Sequence, residues 1–258
     1  MMLDEPYRFA EAVSNRRDYI EDQLRGGSPV VGLEYGEGLL LVTMGRGQKK
    51  LYETYDRIAM GSVGHPTDIE KLRQAAVDLA SVVGFNYSDS DVTLQQIVHF
   101  GLGPAVKASF DDIIRSPYIA RILLAELDGY EGSLFYTVDY DGSFATHESY
   151  AAIGGSLEAD RTMQQMLKSD HSVQSGLPAS LSAALRGWAA GRYVGLQKES
   201  AIEDNGVPSG EITRILKEAM EDDLEVEAIV LDRNSNAKSK YRTLPTEETQ
   251  AAIDALIG

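Results

Sequence analysis

The chain has 258 residues, 43% of them hydrophobic, no cysteine and a formal net charge of −16. That length and apolar content suit one compact domain with a substantial core, while the acidity argues against nucleic-acid or anionic-membrane partners. The missing thiols exclude disulfides, thiolate metal sites and a cysteine nucleophile. No stretch reaches the roughly 18 apolar residues of a membrane helix and no basic-then-apolar leader opens the chain, so the expected location is the cytoplasm.

Residues 8–25 place Phe9, Val13, Ile20 and Leu24 on one stripe of an amphipathic helix, which Gly26-Gly27 end. VVGLEY and GLLLVT then alternate around Gly36-Glu37-Gly38, a hairpin with glycines where positive φ is needed. The stretch GQKKLYETYDRIAMGSVG, residues 47–64, predicts two short strands, Leu51 to Thr54 and Ile58 to Val63, joined at Asp56-Arg57. Lys50 stands at the mouth of this pair and Gly64 closes it. Thr67-Asp68-Ile69-Glu70 reads as a capping box, followed by a helix burying Ile69, Leu72, Ala76, Leu79 and Val83.

A further helix is expected from about Thr93 to Ile114, interrupted or kinked at Gly101, Gly103 and Pro104. IARILLAEL, residues 119–127, is apolar enough for a central strand. SLFYTVDYDGSF and SYAAIGG follow as strands with a turn at Asp141-Gly142, then helices over 157–168 and 178–190. Residues 191–223 contain Gly206, Pro208 and Gly210 and read as an insertion carrying its own helix at 211–220. EVEAIVLD at 225–232 is a late strand that KYRTL at 240–244 can pair with, and a helix over 247–257 ends the chain. Strands grouped with strands, and helices with helices, predict an α+β fold over 1–258, with an antiparallel sheet-on-sheet core under helix layers.

Several constellations carry no specific chemistry. His65, His99, His147 and His171 lack metal spacing, and the acidic clusters at Asp111-Asp112 and Glu221-Asp222-Asp223 suit helix ends and solvated faces. The glycines of GLEYGEG and GLGP do not sit between a strand and a helix start, as a phosphate cradle requires. No metal and no cofactor are expected.

Taken together, the helix leading into SPVVGLEYGEGLLLVT, then KLYETYDRIAMGSVG, DVTLQQIV, LFYTVDYDGSF, AAIGGSLEA and EVEAIVLD, resembles the α-type subunit of the bacterial proteasome core particle. The resemblance implies the four-layer αββα sandwich of the N-terminal-nucleophile (Ntn) hydrolases. It also implies a heptameric ring of this chain with itself, stacked on catalytic proteasome β-type subunits and docked by an AAA+ ATPase or other ring activator that feeds unfolded protein substrates.

In active relatives the nucleophile is an N-terminal threonine whose freed amine is its general base, supported by an aspartate and a lysine. Here Ser28 takes the nucleophile's place inside the chain, Met44 falls about where the aspartate would stand, and Lys50 alone matches the active set. The resemblance therefore implies no catalytic residue, with Ser28 a nucleophile only under the alternative of a self-processing peptidase or amidohydrolase. By the same resemblance Lys50 and Gly64 belong to a pocket receiving an activator tail, although Lys50 also suits a solvated strand edge. His65 stands where the family usually has a small or apolar residue. Asp4, Glu5, Pro6 and Tyr7 match residues that gate the ring pore, or form a frayed terminus.

Overall fold

The computed structural model describes residues 5–129, 132–197 and 206–258. Among these, ten strands form two five-stranded sheets in which every paired neighbour is antiparallel. The chain opens with α1 (Glu5–Leu24), then β1 (Val30–Tyr35) and β2 (Gly38–Gly45), then β3 (Leu51–Tyr55) and β4 (Ile58–Gly64). Helical segments α2 (Pro66–Asn86), α3 (Leu94–Gln96), a π turn (Ile97–Leu102) and α4 (Gly103–Asp111) lead to β5 (Ala120–Gly129), β6 (Gly132–Val138), β7 (Phe144–His147) and β8 (Tyr150–Ile153). Then come α5 (Leu157–Asp170), α6 (Leu177–Leu196), α7 (Ser209–Glu221), β9 (Glu225–Asp232), β10 (Tyr241–Thr243) and α8 (Thr246–Ile257).

One sheet runs β10-β9-β2-β1-β8 and the other β3-β4-β5-β6-β7. The alternation of side chains along each strand divides the apolar residues between layers. From β2, Leu39 and Leu41 point between the sheets with Leu123, Phe135 and Ile229, while Leu40, Val42 and Met44 face Met163, Leu167, Trp188 and Ile253 of the helices. On the far side, Ile58, Met60, Ile122 and Leu124 lie under Ile69, Leu72, Leu94 and Val106. A strand buried on both faces has no polar alternation, which is why LLLV and IVL are continuous apolar runs. The result is a helix–sheet–sheet–helix sandwich.

Three local differences from the sequence reading have physical causes. The capping box is displaced: α2 begins at Pro66, the His65 Nδ1 accepts the Thr67 amide at 3.3 Å, and the Glu70 carboxylate turns to Arg73 instead. Pro66 fits the helix start because its missing N–H would be unpaired there anyway. At the second site, the breakers of GLGP produce a π turn, with the Gly103 amide reaching back to the Val98 carbonyl, and the helix resumes with Pro104 in its first turn. Finally, α6 continues through residues 191–196 because Gly187 and Gly191 let it lie against Leu167 and Met163 of α5. A Cβ at Gly191 would meet the Met163 sulfur at 2.5 Å, so this glycine serves close approach rather than termination. Further on, α7 buries Ile212, Ile215, Leu216 and Ala219 in the core shared by α5, α6 and α8.

Candidate functional site: the Lys50 mouth

Lys50 sits where the loop after β2 enters β3. Its position is fixed by Glu227 of β9, which accepts the Lys50 amide at 2.8 Å and the Leu51 amide at 3.0 Å. Glu227 reaches them because it pairs across from Thr43 in β2, close to the start of that loop. Burial pushes the Glu227 carboxyl up, and the two amides pull it back. The Lys50 side chain is half-buried. Burial pushes its ammonium down from the usual lysine range, Glu227 opposes that, and the positive charge of Arg192 adds to it. Among the described residues, no carboxylate lies within 4.0 Å of the Lys50 ammonium.

Gly64 ends β4, opposite Ala120 of β5. Leu51 pairs with Gly61, so Lys50 enters β3 at the end from which Gly64 leaves β4, about 7 Å further along the ladder. Gly64 has φ +139°, and a Cβ there would stand 2.1 Å from the Ile119 carbonyl oxygen. That carbonyl also accepts the His65 amide at 2.7 Å. The exposed His65 ring is engaged by the start of α2, which accounts for a histidine at this place.

Ser28 lies between α1 and β1. Its hydroxyl donates to the Met44 carbonyl at 2.6 Å and accepts from the Trp188 indole at 2.9 Å. Met44 is fully buried in the helix-facing core. A serine with its proton committed to a carbonyl has neither a base nor a free amine to activate it. Trp188 had no signal in the sequence, since it reaches Ser28 across 160 positions.

The gate candidates separate: Asp4 lies outside the described residues, and Glu5, Pro6 and Tyr7 open α1. The second half of α1 is tied down by buried Ile20 and Leu24, by Arg16 donating to the Ser109 and Arg115 carbonyls, and by the Tyr140 hydroxyl donating to Glu21 at 2.5 Å. Its first half is less covered, with Phe9 exposed. A cavity of about 450 Å³ lies elsewhere, lined by residues of α5 to α8 including Arg186, Asp170 and Thr213. It brings together none of the candidate residues. Among the described residues, no group of three or more histidine, aspartate or glutamate side chains is placed to hold a metal ion.

Two five-stranded antiparallel sheets between helix layers, entered through a helix ahead of the first strand, define a proteasome-type sandwich of the α class. Residues 25–183 match the proteasome subunit family, and the chain belongs to that family. It is similar to a proteasome subunit alpha of Thermomonospora curvata, 32% identical over 250 residues and 94% of each chain. A proteasome subunit alpha of Nocardioides sp. is 29% identical over 255 residues, 96% of this chain and 86% of the relative. One from Acidothermus cellulolyticus is 33% identical over 151 residues, 57% of this chain and 64% of the relative.

Proposed function

We propose that this α-type proteasome subunit is a non-catalytic, heptameric ring component that receives the tail of an activator ATPase at Lys50 and gates substrate entry with its N-terminal residues. Peptide hydrolysis is assigned to partner β-type subunits, and unfolded proteins are the substrates. The observation that carries the docking role is the half-buried Lys50, fixed through its backbone by Glu227 while its ammonium has no carboxylate within 4.0 Å among the described residues. A partly desolvated ammonium without a direct ion pair gains by meeting an incoming carboxylate. Ser28, committed to Met44 and Trp188, supports the absence of catalysis in this chain. No helix among the described residues is long and apolar enough to cross a membrane, which accords with a cytoplasmic particle.

The test is Lys50→Ala in particles assembled with the β-type partner. Activator-stimulated peptide hydrolysis should fall at least tenfold, the effect of losing one charge-assisted hydrogen bond of about 1.5–3 kcal/mol, while ring assembly stays intact. Unchanged stimulation would remove Lys50 from the docking site. For the gate, deletion of residues 1–7 should raise basal hydrolysis of a short fluorogenic peptide several-fold without activator. Equal basal rates would show that the segment does not obstruct the pore.

A further inference from the structure

A second cation, on α6, lies within electrostatic reach of Lys50. We infer that Arg192 of α6 completes its anion site, so that the α-carboxylate ending a partner polypeptide is held between the Lys50 ammonium and the Arg192 guanidinium. This rests on the docking reading above and names the residue that would share the ligand.

Three strands of observation converge on Arg192. First, its position: Trp188 and Arg192 are four residues apart and so share one face of α6. Trp188 reaches the Ser28 hydroxyl, Ser28 reaches the Met44 carbonyl, and a Cβ built on the next residue, Gly45, would lie 3.5 Å from the Lys50 Cε. Arg192 itself donates from Nη1 to the Gly26 carbonyl at 3.1 Å. The start of β1, the end of β2 and the last turns of α6 therefore meet at one place.

Second, its unused capacity. A guanidinium carries five N–H donors, and the Gly26 carbonyl takes one of them. Among the described residues no carboxylate lies within 4.0 Å of Arg192. Third, its field: the Arg192 charge bears directly on Lys50. The nearby carboxylate, Glu227, accepts the Lys50 and Leu51 amides and acts on the Lys50 ammonium through its charge rather than through a direct ion pair. In a chain with 40 acidic side chains and 24 lysines and arginines, these two cations have no carboxylate within 4.0 Å among the described residues and share the single Glu227 charge near Lys50, which leaves a place for one further anion. A carboxylate has two oxygens, which suit one planar fork and one point charge together.

The test uses N-acetyl-leucine as a free α-carboxylate and N-acetyl-leucinamide as its neutral counterpart. Acetylation of Lys50 by an amine-reactive ester is followed by mass spectrometry on the assembled ring, because a bound carboxylate holds the ammonium protonated and slows the reaction. The acid should protect Lys50 in the unaltered protein and the amide should not. In Arg192→Gln, which keeps a donor for Gly26, protection should require about tenfold more acid, with Arg192→Lys in between. Equal protection in Arg192→Gln would overturn the role of Arg192 and leave docking at Lys50 standing. No protection in the unaltered protein, or equal protection by acid and amide, would overturn both.

Discussion

Replacing Arg121 with methionine should cost about 3–5 kcal/mol of stability, the usual result of removing one partner from a buried ion pair. Arg121 leaves β5 near the end of the sandwich with its side chain only 6% exposed. It holds the Asp160 carboxylate at 2.6 and 3.1 Å, the Asp139 carboxylate at 3.1 and 3.2 Å, and the Gly154 carbonyl at 2.9 Å. Asp160 in turn accepts the Gly154 amide at 2.6 Å. Burial acts to lower the Arg121 pKa, but the Asp160 and Asp139 charges outweigh it and keep the guanidinium firmly protonated. Methionine fills similar volume, yet it strands two carboxylates beside each other. Urea unfolding at fixed protein concentration reads the loss, and Asp160→Asn added to Arg121→Met should recover part of it. A loss under about 1 kcal/mol would show that solvent reaches the carboxylates and that the network contributes little.

Gly64→Ala should cost about 2–5 kcal/mol. Roughly 1–2 kcal/mol comes from holding a non-glycine residue at positive φ, and about 1–3 kcal/mol from relieving an overlap. The overlap is severe because the obstructing atom, 2.1 Å away, is the Ile119 backbone oxygen rather than the end of a flexible side chain. Moving that oxygen also disturbs the His65 amide and so the start of α2. The same urea experiment reads it, and a change below about 0.5 kcal/mol would mean that β4 and β5 separate freely at this end. Gly64 is thus required by the backbone whether or not a ligand binds beside it. Its variants test the fold, and Lys50 variants test docking.

The sandwich was largely legible because its strands announce themselves. VVGLEY, GLLLVT and EVEAIVLD are apolar runs bounded by turn residues, and they became β1, β2 and β9. Local chemistry misled where one residue type has two uses. The predicted helix stopped short of Gly191, yet that glycine is a contact surface for α5 within a longer helix, and Thr67 with Glu70 fits a capping box although His65 and Pro66 start the helix. The candidate site was legible only in part. Lys50 and Gly64 stand out within one short stretch, whereas Glu227 lies 177 positions from the Lys50 amide it fixes. Arg192 belonged to a segment read as an insertion. No periodicity links such residues; only the closing of the two sheets and α6 brings them together.

Trp188 is the one tryptophan in the chain, it is fully buried, and its indole is bonded to Ser28 at the threshold of β1. Intrinsic fluorescence excited at the tryptophan band therefore originates from this single junction of α6 with the first strand. The protein carries a built-in optical reporter one helical turn from Arg192, able to register events at the Lys50 mouth without any attached dye.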